Sequence, residues 1–341
     1  MSDTFDTRFM KPPRAEENER EIANKVVLVT GAAGFIGSHL TSRLARMGAR
    51  VRAVDCFTTY YDVERKKKNL QAAQEDAGKH RFDFVQCDLS TDDLAPIVEG
   101  VQMIVHLAAQ PGVRKSWGRD FVTYIRHNIL ATQRLLEAVK AQQLVYFIYG
   151  SSSSVYGERD RVPVAEEAIP APVSPYGCTK IAAEDICLAY TANYEVPVGI
   201  IRFFTVYGPR QRPDMAFHKW IIAIAREEPI PVFGDGQQSR DFTFVTDAVA
   251  GCVAALGKGA VNRIYNIGGG GNIKIVDVIS LIAKIMGKRP VIDHKPAARG
   301  DVRHTSADIA RARAELGYKP VTALEDGITA QIDWMRAEGI I

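Results

Sequence analysis

Strand-like and helix-like segments alternate along most of this 341-residue chain, which predicts an α/β fold with a doubly wound parallel sheet covered by helices on both faces. Two observations carry that prediction. Short apolar runs rich in β-branched and aromatic residues recur, and a stretch of helical periodicity separates each from the next.

Taken in order, "VVLVT" from Val26 is the first strand, "GAAGFIG" a glycine-rich turn, and "SHLTSRLARMG" a helix with a glycine stop. "RVRAVD" is the second strand. A polar, lysine-rich helical stretch then leads to the strand "FDFVQCDL", a weak helix and the strand "MIVHLAA". "FVTYIRHNILATQRLLEAVKAQQ" has the spacing of a long amphipathic helix, and "VYFIYG" that of a buried strand. "YGCTKIAAEDICLAYTANY" is helical, and "PVGIIRFFTVYG" is another buried strand. Beyond Tyr207 proline and glycine become denser, and short helices such as "AFHKWIIAIARE" and "KIVDVISLIAKIMG" lie between loops. "GGGGN" at 268–272 is too short to link independent domains and reads as a tight loop. The expected organisation is a polar N-terminal arm over 1–24, a dinucleotide-binding domain over 25–205 to which 237–266 returns, and a smaller, partly interleaved ligand domain from 206–236 and 267–341.

Composition narrows the class. The chain is 46% hydrophobic and 24% charged, with a net charge of +3, ordinary for a globular protein and unlike a dedicated nucleic-acid or membrane binder. The densest basic run, Arg65 to Lys68, reads as a solvated helix face. Cys56, Cys87, Cys178, Cys187 and Cys252 contain no C-x-x-C pair, so reduced thiols in the cytoplasm are expected, without a metal site or a disulfide framework. The start of the chain has no apolar signal region, and no run reaches the ~20 apolar residues that span a bilayer.

Gly31, Gly34 and Gly37 form G-x-x-G-x-x-G between a strand and a helix. Such a turn lets the backbone approach a pyrophosphate, and the helix start offers free N–H groups. A glycine-rich turn also serves packing alone. Asp55, ending the next strand, is placed to hydrogen-bond ribose hydroxyls and to repel a 2′-phosphate, which favours NAD over NADP. Asp88 is placed to reach the adenine amino group, and Ala108 and Ala109 are small where the cofactor would pass. His106 reads as structural.

The run "SSSS" at 151–154 has linker composition, yet it ends a core strand. Tyr176 and Lys180 follow at i, i+4 on one helix face. An ammonium beside a phenol lowers its pKa from ~10 toward neutrality, which makes Tyr176 a base for an alcohol whose carbon gives up hydride. A serine hydroxyl beside the same oxygen would orient the substrate and relay the proton.

In series, "TGAAGFIGSHL", "HLAAQPGVRKS", "SSSSVYGE", "SPYGCTKIAAE", "RFFTVYGPRQRPDMAF", "VFGDGQQSRDFTFVTDAV" and "GDVRHTSADIARARAELGY" resemble the extended short-chain dehydrogenase/reductases of the nucleotide-sugar epimerase/dehydratase group, from about Lys25 to Tyr318. The resemblance implies a Rossmann-type fold and Ser152, Tyr176 and Lys180 as catalytic residues. It implies NAD contacts at Gly31, Gly34, Phe35, Ile36, Gly37, Asp55, Asp88, Leu89, Leu107, Ala108, Ala109, Tyr176, Lys180 and Phe203. Asn128 matches the helix asparagine of the family, tied to a proton relay or a backbone kink.

Ser153 and Ser154 stand where 4,6-dehydratases of the family carry Asp-Glu, which speaks against dehydration. "VDCFTTYYDVERKKKNL" is similar to the segment after the ribose-binding acid in UDP-glucuronate 4-epimerases. The expected substrate is therefore a UDP-sugar, foremost UDP-glucuronate, epimerised at C4 through a transient 4-keto sugar. Ser152, Ser153, Ser154 and Thr205 would give neutral donors to the sugar carboxylate, and Arg212 or Arg114 a charged one. Arg240 resembles the diphosphate-binding arginine of the family. Phe233 is placed to flank uracil, and Asp301 to bond a ribose or the base. Cys56 and Cys178 depart from the family pattern, the first replacing a common Asn. Rival readings are a UDP-glucuronate decarboxylase, a UDP-galactose or UDP-N-acetylhexosamine 4-epimerase, and a non-catalytic NAD sensor. The family also implies a homodimer through its long helices.

Overall fold

A computed structural model of the chain describes residues 20–77, 81–296 and 300–341. Most of the expected N-terminal arm lies outside the described residues. The central sheet begins with β1 (Val26–Thr30), β2 (Arg50–Asp55), β3 (Phe82–Gln86), β4 (Met103–His106), β5 (Tyr146–Ser152) and β6 (Val198–Phe203), and β7 (Ile264–Ile267) returns to it late in the chain. Its order is β7-β6-β5-β4-β1-β2-β3. Every pairing in it is parallel. The sheet is thus doubly wound, as the alternation predicts, and the order reverses between β1 and β4.

Period-two alternation divides the strand side chains between two cores. Val27, Val29, Met103, Val105 and Ile148 pack on one face with Leu40 and Leu44 of α1 (Phe35–Arg46) and Leu70 of α2 (Val63–Ala77). Val249 and Cys252 of a later helix, Val245–Lys258, join that core. Leu28, Ile104, Phe147 and Tyr149 face the opposite way. They meet Leu135 and Leu136 of α3, which spans 121–139, and Ala183 and Cys187 of α4 (Pro175–Tyr194). The α-helical ends of α3 flank a π-helical middle, Ile125–Leu130. A third core joins Phe217 and Ile221 of α5 (Ala216–Arg226), Val278 and Ile282 of Ile275–Ile285, and Ile328 and Ile332 of Leu324–Ala337.

The strand expected through Tyr207 breaks at Phe204 and Thr205. Phe204 N still donates to Ile267 O of β7 at 3.0 Å, but Thr205 O accepts from Thr243 N at 2.9 Å. Val206–Tyr207 then pairs with Thr243–Phe244 in a separate two-stranded ladder. Exchange of hydrogen-bond partners at one residue carries the chain out of the sheet beside the cleft.

Local chemistry sets the helix starts. Ser174 Oγ caps α4 by accepting from Gly177 N at 3.1 Å, and Pro175 occupies its first turn. Gly34 starts α1 with no side-chain cap, so the first amides of that helix stay available to a ligand. Gly37 shows how tight the turn is, because a Cβ there would stand 2.1 Å from the Gly31 carbonyl oxygen. Gly37→Ala should therefore cost about 3 kcal/mol of stability through overpacking against immovable backbone. Thermal unfolding checks this, and an unchanged midpoint would show that the turn has room to spare.

Candidate active site

The C-terminal ends of the parallel strands open onto one cleft. Every expected cofactor residue, from Gly31 in the first turn to Phe203 at the end of β6, lines it, together with Tyr176 and Lys180. At its floor the chain after β1 meets the chain after β4. Gly31 has φ +70°, and a Cβ there would lie 2.9 Å from Ala108 N. Only glycine permits that approach.

Asp55 Oδ2 accepts from Ala33 N at 3.2 Å and Oδ1 from Phe57 N at 2.8 Å. Burial raises the Asp55 carboxyl above its usual value, and the Lys66 ammonium works against this. Asp88 Oδ1 accepts from Ser90 N at 2.9 Å and from Ser90 Oγ at 2.6 Å. Burial opposes its ionisation, but the Ser90 bonds prevail and hold Asp88 below its usual value. A glycine turn, uncapped helix amides and an acid at the second strand end fit a dinucleotide.

The serine run ends β5, as its position after "VYFIYG" implies, and continues into a 3-10 turn. Ser152 Oγ donates to Ser154 Oγ at 3.1 Å and accepts from Ser154 N at 3.2 Å. A Cβ on Gly177 would come within 2.6 Å of Ser154 O, so the glycine beside Tyr176 lets α4 press against this turn. Asn128 sits in the π-helical turn of α3. Its Oδ1 accepts from Gln110 N at 2.6 Å, and its Nδ2 donates to Gln110 O at 3.1 Å and to Thr179 Oγ1 at 2.9 Å. Asn128 thus pins the loop after β4 to the Tyr–Lys helix. His106 is buried between Thr30 Oγ1, at 2.7 Å, and Thr132 Oγ1, at 3.0 Å. Burial and Lys180 push it down to about 3, which leaves it neutral and structural.

Two electrostatic expectations need correction. The expected acidification of Tyr176 by Lys180 is not how the charges are arranged. Burial raises the Tyr176 phenol above its usual value, and the groups that oppose burial are the Ser152 hydroxyl and the Arg212 guanidinium. Lys180 Nζ instead donates to Gly150 O at 2.6 Å and stands 4.4 Å from the Tyr149 ring centroid. Burial pushes Lys180 down to about 8, while Glu184 pulls it up. The basic run is the second correction. Lys66 is 5% exposed and lines the cleft, donating to Thr58 O at 2.8 Å and Thr58 Oγ1 at 3.0 Å, while Lys67 and Lys68 are exposed as expected.

The expected substrate residues fall into two groups. Ser152, Ser153, Ser154, Thr205 and Arg212 line the cleft. Arg212 is held by Asp214, Nε to Oδ1 at 3.0 Å and Nη2 to Oδ2 at 3.1 Å, and Tyr60 OH donates to the same carboxylate at 3.4 Å. Arg114, Phe233 and Asp301 form a separate cluster. Arg114 Nη2 donates to Asp301 Oδ2 at 2.7 Å, and its guanidinium lies 3.9 Å from the Phe233 ring centroid. Arg240 belongs to this second group, since Asp301 and Arg114 both act on its charge. Arg114 is not among the residues that line the cleft beside the serine run.

Glu184 was not among the expected residues. It is buried beneath the serine turn, accepts a hydrogen bond from Ser151 Oγ, and pairs with the buried Arg202 Nη2 at 2.6 Å. Its i+4 spacing from Lys180 is the signal that could have found it. Lys66 and Tyr60, and Asp214 behind Arg212, carry no comparable local signal, because tertiary folding alone brings them together.

Residues 27–268 match the model of the NAD dependent epimerase/dehydratase family. The chain is 45% identical over 311 residues to an uncharacterised UDP-glucose epimerase of Bacillus subtilis, covering 91% of this chain and 97% of the relative. It is 35% identical over 313 residues to a UDP-glucuronate 4-epimerase of Thermodesulfobacterium geofontis, covering 91% and 95%. Among solved structures it resembles the UDP-glucuronic acid 4-epimerase of Bacillus cereus in complex with UDP-glucuronic acid and NAD, with 42% identity, a TM-score of 0.88 and coverage of 92% and 99%.

The charge balance at Lys180 has a measurable consequence. Glu184 favours the ammonium, so Glu184→Gln should lower the Lys180 pKa below about 8 and move the alkaline limb of the pH–rate profile to lower pH. A lower unfolding temperature should accompany it, because Arg202 loses its buried partner. An alkaline limb that stays in place would remove Glu184 from this role.

Proposed function

The chain belongs to the NAD-dependent epimerase/dehydratase family, and from that premise we propose that it epimerises C4 of a UDP-sugar, UDP-glucuronate to UDP-galacturonate foremost. One observation supports the acidic sugar above all. The hydroxyls of Ser152, Ser153, Ser154 and Thr205 share the cleft wall with Tyr176, and the Arg212 guanidinium lies in the same wall. Neutral donors together with one anchored cation suit a hexuronate carboxylate better than a CH2OH group.

NAD, when bound, supplies the hydride acceptor and donor that let a C4 alcohol become a ketone and return to an alcohol with no net redox change. The chain provides the proton chemistry and the restraint. Tyr176 takes the proton of the 4-hydroxyl and gives it back, and Ser152 orients that hydroxyl. Burial disfavours the phenolate that accepts this proton, and the Ser152 bond and the positive field of Arg212 favour it. Lys180, steadied by Glu184, holds the carbonyl of Gly150 and so the end of β5 that carries the serines. The 4-keto uronate is a β-keto acid that loses carbon dioxide readily. We assign the serine hydroxyls, Thr205 and Arg212 to holding the carboxylate so that the C5–C6 bond stays near the plane of the ring carbonyl, where its cleavage has poor overlap.

The residues 206–236 and 267–341 are proposed as the nucleotide-sugar domain, with Phe233, Arg240 and Asp301 facing the UDP moiety and Arg114 reaching them from the cofactor side. A homodimer is proposed as well. Val122 is 66% exposed, and Ile125 and Leu130 are each 41% exposed along α3, an apolar face suited to pairing across a two-fold axis. No helix among the described residues is long and apolar enough to cross a membrane. A cytoplasmic setting is proposed from the five cysteines, none of which is in a disulfide.

Incubation with UDP-glucuronate followed by NMR of the nucleotide sugars should yield UDP-galacturonate. A product lighter by carbon dioxide would make the chain a decarboxylase instead. The similarity to a protein described as a UDP-glucose epimerase favours a neutral hexose as the second reading, and faster turnover of UDP-glucose would establish it. Tyr176→Phe should reduce turnover by at least about 100-fold. Asp in place of Val122 or Ile125 should convert a dimer to a monomer in light scattering, and an unchanged mass would refute pairing through α3.

A further inference from the structure

Three side chains from separate segments meet on one wall of the cleft. Cys56 follows β2, Asp88 follows β3, and His127 sits in the π-helical turn of α3. One donor atom from each, the thiol sulfur, a carboxylate oxygen and a ring nitrogen, lies within 4.8 Å of the other two. Asp88 Oδ1 and His127 Nδ1 stand 3.9 Å apart. Donors around a tetrahedral zinc ion are roughly 3.3–3.8 Å apart, as bond lengths of about 2.0–2.3 Å require. Small side-chain adjustments would bring the trio to that geometry.

The surroundings of the trio are mixed in charge. Asp55 lies beside Cys56, while Lys66 and Arg126 face the same site. Two bonds from Ser90 orient the Asp88 carboxylate. Cation binding at Cys56 expels the thiol proton. Sulfur, imidazole and carboxylate together select a zinc-class ion over magnesium or calcium. No C-x-x-C spacing announces the trio, because the parallel sheet and the widened turn of α3 bring it together.

We propose that Cys56, Asp88 and His127 form a binding site for a thiophilic divalent cation of the zinc class, whose occupation excludes NAD. The exclusion rests on the NAD reading of the cleft, since all three residues line it alongside Gly31, Gly34 and Asp55. Linkage makes the effect mutual, so the cation and NAD weaken each other's binding by the same factor.

The test uses the full chain, as purified and after removal of NAD, with its fold checked by circular dichroism. Co2+ serves as the spectroscopic probe for Zn2+. The NAD-free chain should take up one equivalent and develop a sulfur-to-cobalt charge-transfer band. Cys56→Ser should abolish the band, His127→Gln should weaken uptake at least tenfold, and added NAD should displace the cobalt. No uptake, a band that survives Cys56→Ser, or undiminished affinity in His127→Gln would overturn the site. Uptake indifferent to NAD would overturn the exclusion. None of these readouts uses sugar turnover, so failure here and failure of the epimerase reading are separate results.

Discussion

Two neighbouring parallel strands, β1 and β4, send their chains apart at their C-terminal ends, and every functional side chain depends on the opening this creates. The sheet order β7-β6-β5-β4-β1-β2-β3 places the reversal between them. The opening persists because the floor is backbone against backbone, with no side chain at Gly31 to hold the chain off Ala108. From there the same geometry repeats. Asp55, Asp88, the serine run and Phe203 each lie at or just past the end of a strand whose register with its neighbour is set by hydrogen bonds. One sheet therefore aligns two acids and a row of hydroxyls along a single edge of the cleft.

Charge within this frame is buried and balanced rather than exposed. Arg202 and Glu184 are almost wholly removed from solvent, at 2% and 1% side-chain exposure, a pair whose desolvation cost rivals its attraction. Its value lies in position. Glu184 joins β6 through Arg202, β5 through Ser151, and α4 through its own backbone, so it ties the strand that carries the hydroxyls to the helix that carries Tyr176 and Lys180. Asn128 does the same on the other side of α4, linking Thr179 to the loop after β4. The phenol thus sits in a rigid and desolvated place, where each nearby charge or hydroxyl weighs heavily on its proton.

Periodicity and punctuation made the fold legible. "VVLVT" before "GAAGFIG", and "VYFIYG" before four serines, state both the strand and what lies at its end, because in a parallel sheet the end of a strand is where ligands sit. Residues tied to strand ends or to i+4 spacing were readable for that reason. Those that reach the cleft from elsewhere were not. Lys66 belongs to a run with the composition of a solvated helix face, and only the packing of α2 beside Asp55 turns it inward. Arg114 and Arg212 looked equivalent as cations, yet one faces Asp301 and the other shares the wall with Tyr176.

By itself the sequence determined the doubly wound architecture, the glycine turn, the acid after the second strand and the Tyr–Lys pair, because each is a short-range pattern with a mechanical reason. Only the tertiary structure decided the electrostatics. Whether an ammonium acidifies a phenol depends on its distance and on what else surrounds the oxygen, and here Lys180 Nζ donates to the Gly150 carbonyl while burial is the largest influence on Tyr176. Spacing fixes which face a residue occupies. The field at an oxygen sums over groups distant in sequence, and folding alone sets those distances.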